Sequence, residues 1–252
     1  MEEFIGLLKR ITPELVELLE NRYFIMQHIY LNQPIGRRSL ASMIAWPERR
    51  LRTETKRLEE LGLLEIEPKG MRLSSEGEEV FGRLETFIFH VKNLNPIAQA
   101  IKQKFECKDI VIVPGDCDED ENIKKLLGRE AGLYLKKVLK NGDIIAVTGG
   151  TTMAQVPKSM NYTSGYEKVI VAPGRGSLGE KVEIQSNTIA VELAAKLRAK
   201  YKLLYIPDNL GTDAMESVVN EPGIKDVIST IKKADILLHG IGGAEEMANR
   251  RG

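Results

Sequence analysis

The sequence of 252 residues has few cysteines, no excess charge and no long apolar run, and each absence narrows its function. Cys107 and Cys117, its two cysteines, match no metal-ligand spacing or disulfide framework, so we expect two reduced thiols. Basic and acidic residues number 36 each, which excludes a protein that binds polyanions over its whole surface. No apolar run approaches the roughly 20 residues that span a bilayer, and the acidic N-terminus is not a secretory signal. We therefore expect a cytoplasmic protein with no membrane partner.

Two different patterns of apolar residues divide the chain. The first part, about 90 residues long, has helical periodicity and one hairpin signal. The second part alternates helical stretches with the apolar runs DIVIVP (109–114), DIIAVTG (143–149), KVIVAPG (168–174), KLLYIPD (202–208) and DILLHGIGG (235–243). Strands that alternate with helices predict an α/β domain with a parallel sheet, which binds ligands at the carboxyl edge of its strands. We predict two domains, residues 1–93 and 94–252.

A short heptad pattern precedes this boundary. Its apolar residues recur at spacings of 4, 3, 4 and 3, and they are Val80, Leu84, Phe87, Val91 and Leu94. The pattern fits a helix packed on its own domain and a contact between two subunits about equally well. Pro96 is predicted to begin a new helix with Asn95 as its cap.

Residues 22–73 have the pattern of three short helices and a hairpin. The segments are RYFIMQHIYLNQ, then RRSLASMIAW, then PERRLRTETKRLEELGL, and last the hairpin LLEIEPKGMRLSS. Pro47 suits the first position of the third helix, and Gly62 suits its end. The inner stripe of this helix is predicted to hold Leu51, Thr55, Leu58 and Leu61. This order indicates a winged helix-turn-helix, in which the third helix enters the major groove of DNA.

Basic residues are concentrated in the second and third helices. Between residues 37 and 57 there are seven basic residues and two acidic ones. A solvated helix face would show the same excess, but the excess together with the helix order and the wing favours DNA. The predicted DNA-binding residues are Arg37, Arg38, Arg49, Arg50, Arg52 and Lys56. Trp46 is predicted to be a core or staple residue and not one that stacks on bases.

The segment VTGGTT (147–152) joins a predicted strand to a helix. Its two glycines let the backbone approach an anion closely, and Thr151 and Thr152 add hydroxyl donors. The motif is neither GxxxxGK[ST] nor GxGxxG, so it does not indicate a nucleotide. Alone, it fits a tight turn without a ligand equally well.

Two further glycine-bearing loops strengthen the prediction of an anion site. APGRGSLGE (172–180) places Arg175 between two glycines, and guanidinium binds phosphate bidentately. Gln185 and Asn187 follow and could bond sugar hydroxyls, and HGIGGAEEMANRR ends in Arg250 and Arg251. Together the three loops predict a phosphorylated polyol as ligand.

An enzyme acting on such a ligand would need a placed acid and base. The candidates are His239 and the acidic run Asp116, Asp118, Glu119, Asp120 and Glu121. An acidic run is more often a solvated loop, and a histidine in a strand is more often a core residue. We therefore predict no catalytic residue and favour sensing over catalysis. A sugar-phosphate isomerase or deaminase with an accessory N-terminal domain is the alternative.

The combined segments resemble the SorC family of bacterial transcription regulators over essentially the whole chain. The resemblance rests on RYFIMQHIYLNQPIGRRSL, VTGGTT, GRGSLGE, QSNTIA and HGIGGAEEMANRR. It implies a winged helix-turn-helix ahead of a parallel-sheet domain similar to glucosamine-6-phosphate deaminase and ribose-5-phosphate isomerase (NagB/RpiA-like). Within the family, the chain is similar to the branch that represses the operon for the lower half of glycolysis, which includes glyceraldehyde-3-phosphate dehydrogenase.

The resemblance also implies ligands and partners. Fructose 1,6-bisphosphate or a related sugar phosphate would be the inducer and would weaken cooperative binding to double-stranded operator DNA, with no cofactor or metal. Homodimers would pair into homotetramers. The implied effector contacts are Gly149, Gly150, Thr151, Thr152, Arg175, Gln185, Arg250 and Arg251. Family members continue beyond the position of Arg251, so we expect an incomplete effector domain that lacks part of its sheet.

Overall fold

The computed structural model describes residues 2–176, 181–206 and 217–243. The chain divides into two compact units, Met1–Pro114 and Gly115–Gly252, which are called unit 1 and unit 2 below. The domain boundary predicted between residues 93 and 94 stays a prediction.

Unit 1 has the helix order and hairpin that the sequence predicts. Its elements are α1 (Glu2–Ile11), α2 (Pro13–Asn32), α3 (Arg37–Met43), α4 (Glu48–Glu60), β1 (Leu64–Glu67), β2 (Gly70–Leu73), α5 (Ser75–Val91) and α6 (Leu94–Phe105). β1 and β2 pair antiparallel, and Ile35 adds an antiparallel bridge to Met71. Helices α2, α3 and α4 followed by this hairpin form a winged helix-turn-helix, which confirms the prediction.

The third helix, α4, ends as its sequence predicts. Gly62 has a φ of 76°, its N–H donates to the carbonyl of Glu59 at 2.9 Å, and the N–H of Leu63 donates to the carbonyl of Leu58 at 2.9 Å. A left-handed residue that satisfies the last carbonyls in this way is a common helix end. Leu61 is 44% exposed because the helix has already ended, so its predicted place in the inner stripe is wrong.

The heptad segment packs on its own unit. α5 buries Phe81, Ile88 and Val91, and the Phe81 ring stacks on Tyr23 of α2 with centroids 5.4 Å apart. Of the two predicted alternatives, the structure therefore shows a helix packed on its own domain, and the contact between two subunits stays a prediction. The predicted start of the next helix at Pro96 is wrong because α6 begins two residues earlier. Proline is tolerated there because backbone N–H groups in a first helical turn have no intrahelical acceptor.

Unit 2 is an α/β domain with a parallel sheet, as predicted. Its elements are α7 (Glu121–Val138), β3 (Ile144–Val147), α8 (Thr151–Ser159), β4 (Ile170–Pro173), a 3-10 helix (Val182–Ile184), α9 (Ser186–Leu197), β5 (Lys200–Tyr201), α10 (Pro222–Ile231) and β6 (Ile236–Leu238). The strand order is β5-β4-β3-β6, and all three pairings are parallel. The core lies where Ile145 and Val171 of the sheet meet Ile189 and Leu193 of α9.

Two predicted strands differ from the structure. Residues 109–114 form no strand and lie in unit 1, and Val111 is 53% exposed, so this apolar run is not buried as a central strand of a parallel sheet would be. Of the strand predicted at 202–208, residues 202–206 form no strand and residues 207–208 lie outside the described residues; the strand found nearby is the short β5 at Lys200–Tyr201. The side chain of Asn187 accepts from the N–H of Leu204 at 3.0 Å and donates to its carbonyl at 2.9 Å. The Asn187 side chain thus occupies the backbone groups of Leu204 that a neighbouring strand would otherwise bond.

Candidate nucleic-acid interface and anion site

The outer face of α4 is fixed by the burial of its inner face. Leu51, Thr55 and Leu58 are buried in unit 1, with exposed fractions of 0%, 0% and 1%. Arg22 of α2 donates from Nε to Glu54 of α4 at 3.0 Å, and both side chains are mostly buried. With one side of the helix held in this way, the opposite side faces solvent and carries exposed cations. These are Arg49, Arg50, Arg52 and Lys56.

Arg50 lies over an aromatic ring. Its guanidinium carbon is 3.8 Å from the ring centroid of Trp46. Trp46 itself is half-buried and packs against the core of unit 1, which confirms the prediction of a core or staple residue. A guanidinium stacked on tryptophan keeps its N–H donors free at the ring edge while it loses conformational freedom.

The remaining predicted DNA-binding residues differ in their surroundings. Arg38 has a side chain that is 91% exposed and lies 3.9 Å from a carboxylate oxygen of Glu48. Arg37 is half-buried, and among the described residues its enclosed Nε has no hydrogen-bond partner. Arg37 is therefore the least available of the set to a ligand in solvent.

Two cations of the wing were missed in the sequence. Lys69 lies in the turn between β1 and β2, and Arg72 lies on β2, and both are exposed. The sequence signal that could have revealed them is this pair of basic residues on either side of Gly70 in the segment PKGMR. Gly70 has a φ of 133°, and a Cβ there would lie 2.9 Å from the backbone of Ile35. Glycine is therefore needed to bring the wing against the segment before α3.

The turn between β3 and α8 holds the first predicted anion loop. Gly150 has a φ of 133° and precedes α8, and its N–H donates to the carbonyl of Ile184 at 2.9 Å. A Cβ on Gly149 would lie 2.6 Å from the same carbonyl oxygen. The N–H groups of Thr151 and Thr152, in the first turn of α8, have no intrahelical acceptors. The turn therefore presents backbone donors at a helix N-terminus, which is a site that attracts anions.

The second predicted loop lies beside this turn. Gly174 donates from its N–H to the carbonyl of Val147, the last residue of β3, at 2.6 Å. The half-buried Arg175 accepts through its carbonyl from the hydroxyl of Ser186 at 3.1 Å. A Cβ on Gly149 would in turn lie 3.4 Å from the nitrogen of Ser186. The structure thus brings residues 149–152, Arg175 and the start of α9 to one edge of the sheet.

The remaining predicted contacts are Gln185, Asn187, Arg250 and Arg251. Gln185 occupies the N-cap position of α9 at this edge, and its side chain makes no capping hydrogen bond to the helix. Asn187 uses its amide to hold the backbone of Leu204, so its predicted bond to a sugar hydroxyl is not the role that the structure shows. Arg250 and Arg251 fall in the part of the chain that is not described.

The residues considered for acid–base chemistry have other roles. Asp120 caps α7 by accepting from the N–H of Asn122 at 2.9 Å, and Asp116 accepts from the N–H of Asp118 at 2.8 Å. Glu121 accepts from Lys124 at 2.6 Å, and this bond raises the pKa of the Lys124 ammonium. The solvated loop predicted for the acidic run is confirmed for residues 116–120, whereas Glu121 lies in the first turn of α7.

His239 and the cysteines complete the set of reactive side chains considered in the sequence. His239 is exposed, so its prediction as a core residue is wrong: it follows the end of β6, which is one of the two outermost strands among those that the structure describes. Cys107 and Cys117 are free, as predicted. Within the described residues, no group of three or more His, Cys, Asp or Glu could hold a metal ion. Every described helix is too short or too polar to cross a membrane.

Comparison with known proteins matches both parts of the chain. Residues 18–88 match a family described as "CggR N-terminal DNA binding domain", and residues 90–252 match one described as "Putative sugar-binding domain". The Central glycolytic genes regulator of Bacillus subtilis is 40% identical over 251 residues, which cover 100% of this chain and 74% of that protein.

Solved structures give the same classification. A crystal structure of a SorC family transcriptional regulator from Enterococcus faecalis is 34% identical, with a TM-score of 0.56 over 62% of this chain and 64% of that one. The full-length sorbitol operon regulator SorC of Klebsiella pneumoniae shares the fold at 20% identity, with a TM-score of 0.54 over 87% of this chain and 66% of that one. This chain thus spans less than two thirds of either solved chain. It belongs to the SorC family of transcription regulators, with a DNA-binding domain ahead of a sugar-binding domain.

Proposed function

We propose that the chain is a transcriptional repressor whose DNA binding is controlled by a sugar phosphate at the edge of the sheet in unit 2. The observation that carries the proposal is the convergence of residues 149–152, Arg175 and Ser186 at the N-termini of α8 and α9. With no acid–base pair among the described residues there, a phosphate bound at this edge acts as a signal.

DNA would bind to the outer face of α4 and to the wing. Arg49, Arg52 and Lys56 are exposed on α4, and Lys69 and Arg72 are exposed on the hairpin that follows it. In a winged helix-turn-helix the third helix enters the major groove and the wing contacts the backbone. Arg50, held on Trp46, is the residue best placed to read a base edge, because bidentate arginine–guanine contacts require a fixed guanidinium plane.

The DNA interface can be tested by salt titration of operator binding. The logarithm of the binding constant falls linearly with the logarithm of the salt concentration, and each lost phosphate contact should make this slope shallower by about 0.9. We expect replacement of Arg49, Arg50 and Arg52 by Ala to make that slope shallower and to weaken the affinity for DNA. Arg83→Ala is the matched control, because Arg83 is an exposed arginine on α5 with a side chain that is 81% exposed. Binding without a salt slope, or equal binding by the triple variant and the control, would refute this interface.

The effector is proposed to be fructose 1,6-bisphosphate. Helices α8 and α9 both begin at the site edge, and each N-terminus attracts an anion, which favours a ligand with two phosphates. The 40% identity to the Central glycolytic genes regulator supports a target among glycolytic genes. Fructose 1,6-bisphosphate as ligand and the lower-glycolysis operon that includes glyceraldehyde-3-phosphate dehydrogenase as target are what the family resemblance implies. Gly149, Gly150, Thr151, Thr152, Arg175 and Gln185 are the proposed contacts. Arg250 and Arg251 stay predicted contacts.

The ligand would act by changing how subunits cooperate on the operator. Homodimers that pair into tetramers bind two half-sites together, and a ligand that favours a different arrangement weakens this pairing. The coupling of a typical allosteric ligand, about 1–3 kcal/mol, corresponds to about a 5- to 150-fold change in affinity.

Ligand binding can be tested by thermal unfolding of the chain with millimolar fructose 1,6-bisphosphate, with fructose as the phosphate-free control. A ligand that binds only the folded protein raises the unfolding temperature. We expect a shift with the bisphosphate that Arg175→Ala reduces and that Lys225→Ala, which removes an exposed cation of α10, leaves unchanged. An equal shift in the Arg175 and Lys225 variants would remove Arg175 from the site.

A further inference from the structure

Helix α1 has two apolar sides, and only one of them packs against unit 1. Ile5 is 3% exposed and, together with the half-buried Leu8, packs against Val16 of α2 and Val91 of α5. On its other side, Phe4, Leu7 and Ile11 are 59%, 50% and 74% exposed. Large apolar side chains grouped on one short helix mark a surface that another protein covers.

The spacing of this exposed stripe is that of a helix pair. Phe4, Leu7 and Ile11 are separated by three and four residues, so they occupy positions a, d and a of a heptad. In this frame Glu3 and Arg10 both occupy position g, on one flank of the stripe, and both are exposed. The flank of α1 therefore carries opposite charges at its two ends.

The charges on the flank identify the occupant and its orientation. In a parallel pair, position g faces position e, so Glu3 would meet Leu8, which already packs within unit 1. In an antiparallel pair, g faces g, so Glu3 of each copy meets Arg10 of the other. A second copy of α1 is thus complementary to the first in the antiparallel orientation alone.

We propose that two copies of the chain associate through an antiparallel pair of α1 helices. Phe4 of each copy packs on Leu7 of the other, and two symmetric Glu3–Arg10 contacts flank this pair. Such a contact is isologous, as a twofold dimer requires. One pair of ten-residue helices buries less than the roughly 800 Å² per partner of a standard interface, so the contact is weak and acts when other contacts hold the subunits near each other.

The other unpartnered helix face of unit 1 does not carry the same proposal. Ile97, Ile101 and Phe105 of α6 are 50%, 36% and 64% exposed. Within α6 the charged residues are Lys102 and Lys104, both positive, so the helix offers no acidic residue to pair with the lysines of a second copy. Of these two exposed stripes, the one on α1 carries opposite charges on one flank and is therefore complementary to a second copy of itself.

Cysteine cross-linking tests the pair without interference from other subunit contacts. The chain carries Cys107→Ser and Cys117→Ser, and single Phe4→Cys and Leu7→Cys variants are oxidised alone or as an equimolar mixture. Because a disulfide needs Cα atoms within about 7 Å, the mixture should cross-link several-fold faster than either variant alone. Val111→Cys, at a site that is 53% exposed, is the matched control, and Trp46 fluorescence checks that unit 1 is folded. A mixture no faster than the single variants, or a rate equal to the control, overturns the proposal.

Charge reversal tests the orientation with the same cross-linking rate. Glu3→Arg placed on both chains turns two attractive contacts into repulsive ones and should slow cross-linking about tenfold. Glu3→Arg on one chain with Arg10→Glu on the other makes both contacts attractive again and should restore the rate. Equal rates in the two combinations would show that Glu3 does not face Arg10 and would overturn the antiparallel pair.

Discussion

Replacement of Gly149 by alanine tests whether the turn before α8 is the effector site. The added Cβ would lie 2.6 Å from the carbonyl oxygen of Ile184, where contacts below 3.0 Å are essentially never seen. One of the two backbone segments must therefore move by at least about 0.4 Å, the difference between 3.0 and 2.6 Å. Neither is the end of a flexible side chain, so the movement is not absorbed locally.

The movement would reach the proposed phosphate ligands. The carbonyl of Ile184 accepts from Gly150, and two residues further on, Ser186 holds the carbonyl of Arg175. Overpacking of this kind costs about 1–3 kcal/mol. When the ligand binds, it must restore the native turn, so the same cost is subtracted from the free energy of binding. This corresponds to roughly 5- to 150-fold weaker affinity for fructose 1,6-bisphosphate.

The assay is isothermal titration calorimetry of the full chain with fructose 1,6-bisphosphate. Gly223→Ala is the matched control, because Gly223 lies in α10 of the same unit and a Cβ there meets nothing within 4 Å. We expect the control to bind like the unchanged protein and Gly149→Ala to bind at least about fivefold more weakly. Equal affinities in both variants would refute the assignment of this turn to the ligand.

Three further substitutions have expected effects. Trp46→Leu keeps an apolar residue against the core but frees Arg50, and fluorescence anisotropy should show operator binding weakened about 2- to 5-fold. Ser74→Ala removes the α5 cap that accepts from Gly77, so denaturation followed by Trp46 fluorescence should show unit 1 about 1 kcal/mol less stable. Asn187→Ala removes both bonds to Leu204 and should destabilise unit 2 by about 1–3 kcal/mol in calorimetry, with the Trp46 transition unchanged.

The helix-turn-helix could be predicted because its element ends are marked in the sequence. The apolar periodicity is interrupted where the chain changes direction, at Pro34, Pro47 and Gly62. The local conformational preferences of proline and glycine are enough to place such ends. The start of α6 was misplaced because Asn93 adopts a left-handed conformation that no sequence signal marked.

Long-range contacts account for what could not be predicted in unit 2. The apolar run at 202–206 has the composition of a strand, but the Asn187 side chain occupies the backbone groups of Leu204. The glycines of the candidate site could be predicted from the sequence, because small residues after strands indicate close backbone approach. Arg175 could be predicted because it lies between two such glycines. Ser186 was missed, since its importance lies in a bond to Arg175 that only the folded chain reveals.

Control of operator binding by fructose 1,6-bisphosphate is measured by fluorescence anisotropy with DNA upstream of a glyceraldehyde-3-phosphate dehydrogenase operon. The protein is titrated into labelled DNA at fixed salt, with millimolar fructose 1,6-bisphosphate, with fructose, or with no addition. A sugar-phosphate-controlled repressor should show a shallower or weaker binding curve with the bisphosphate alone, shifted by at least about fivefold. Superimposable curves under all three conditions would contradict this function.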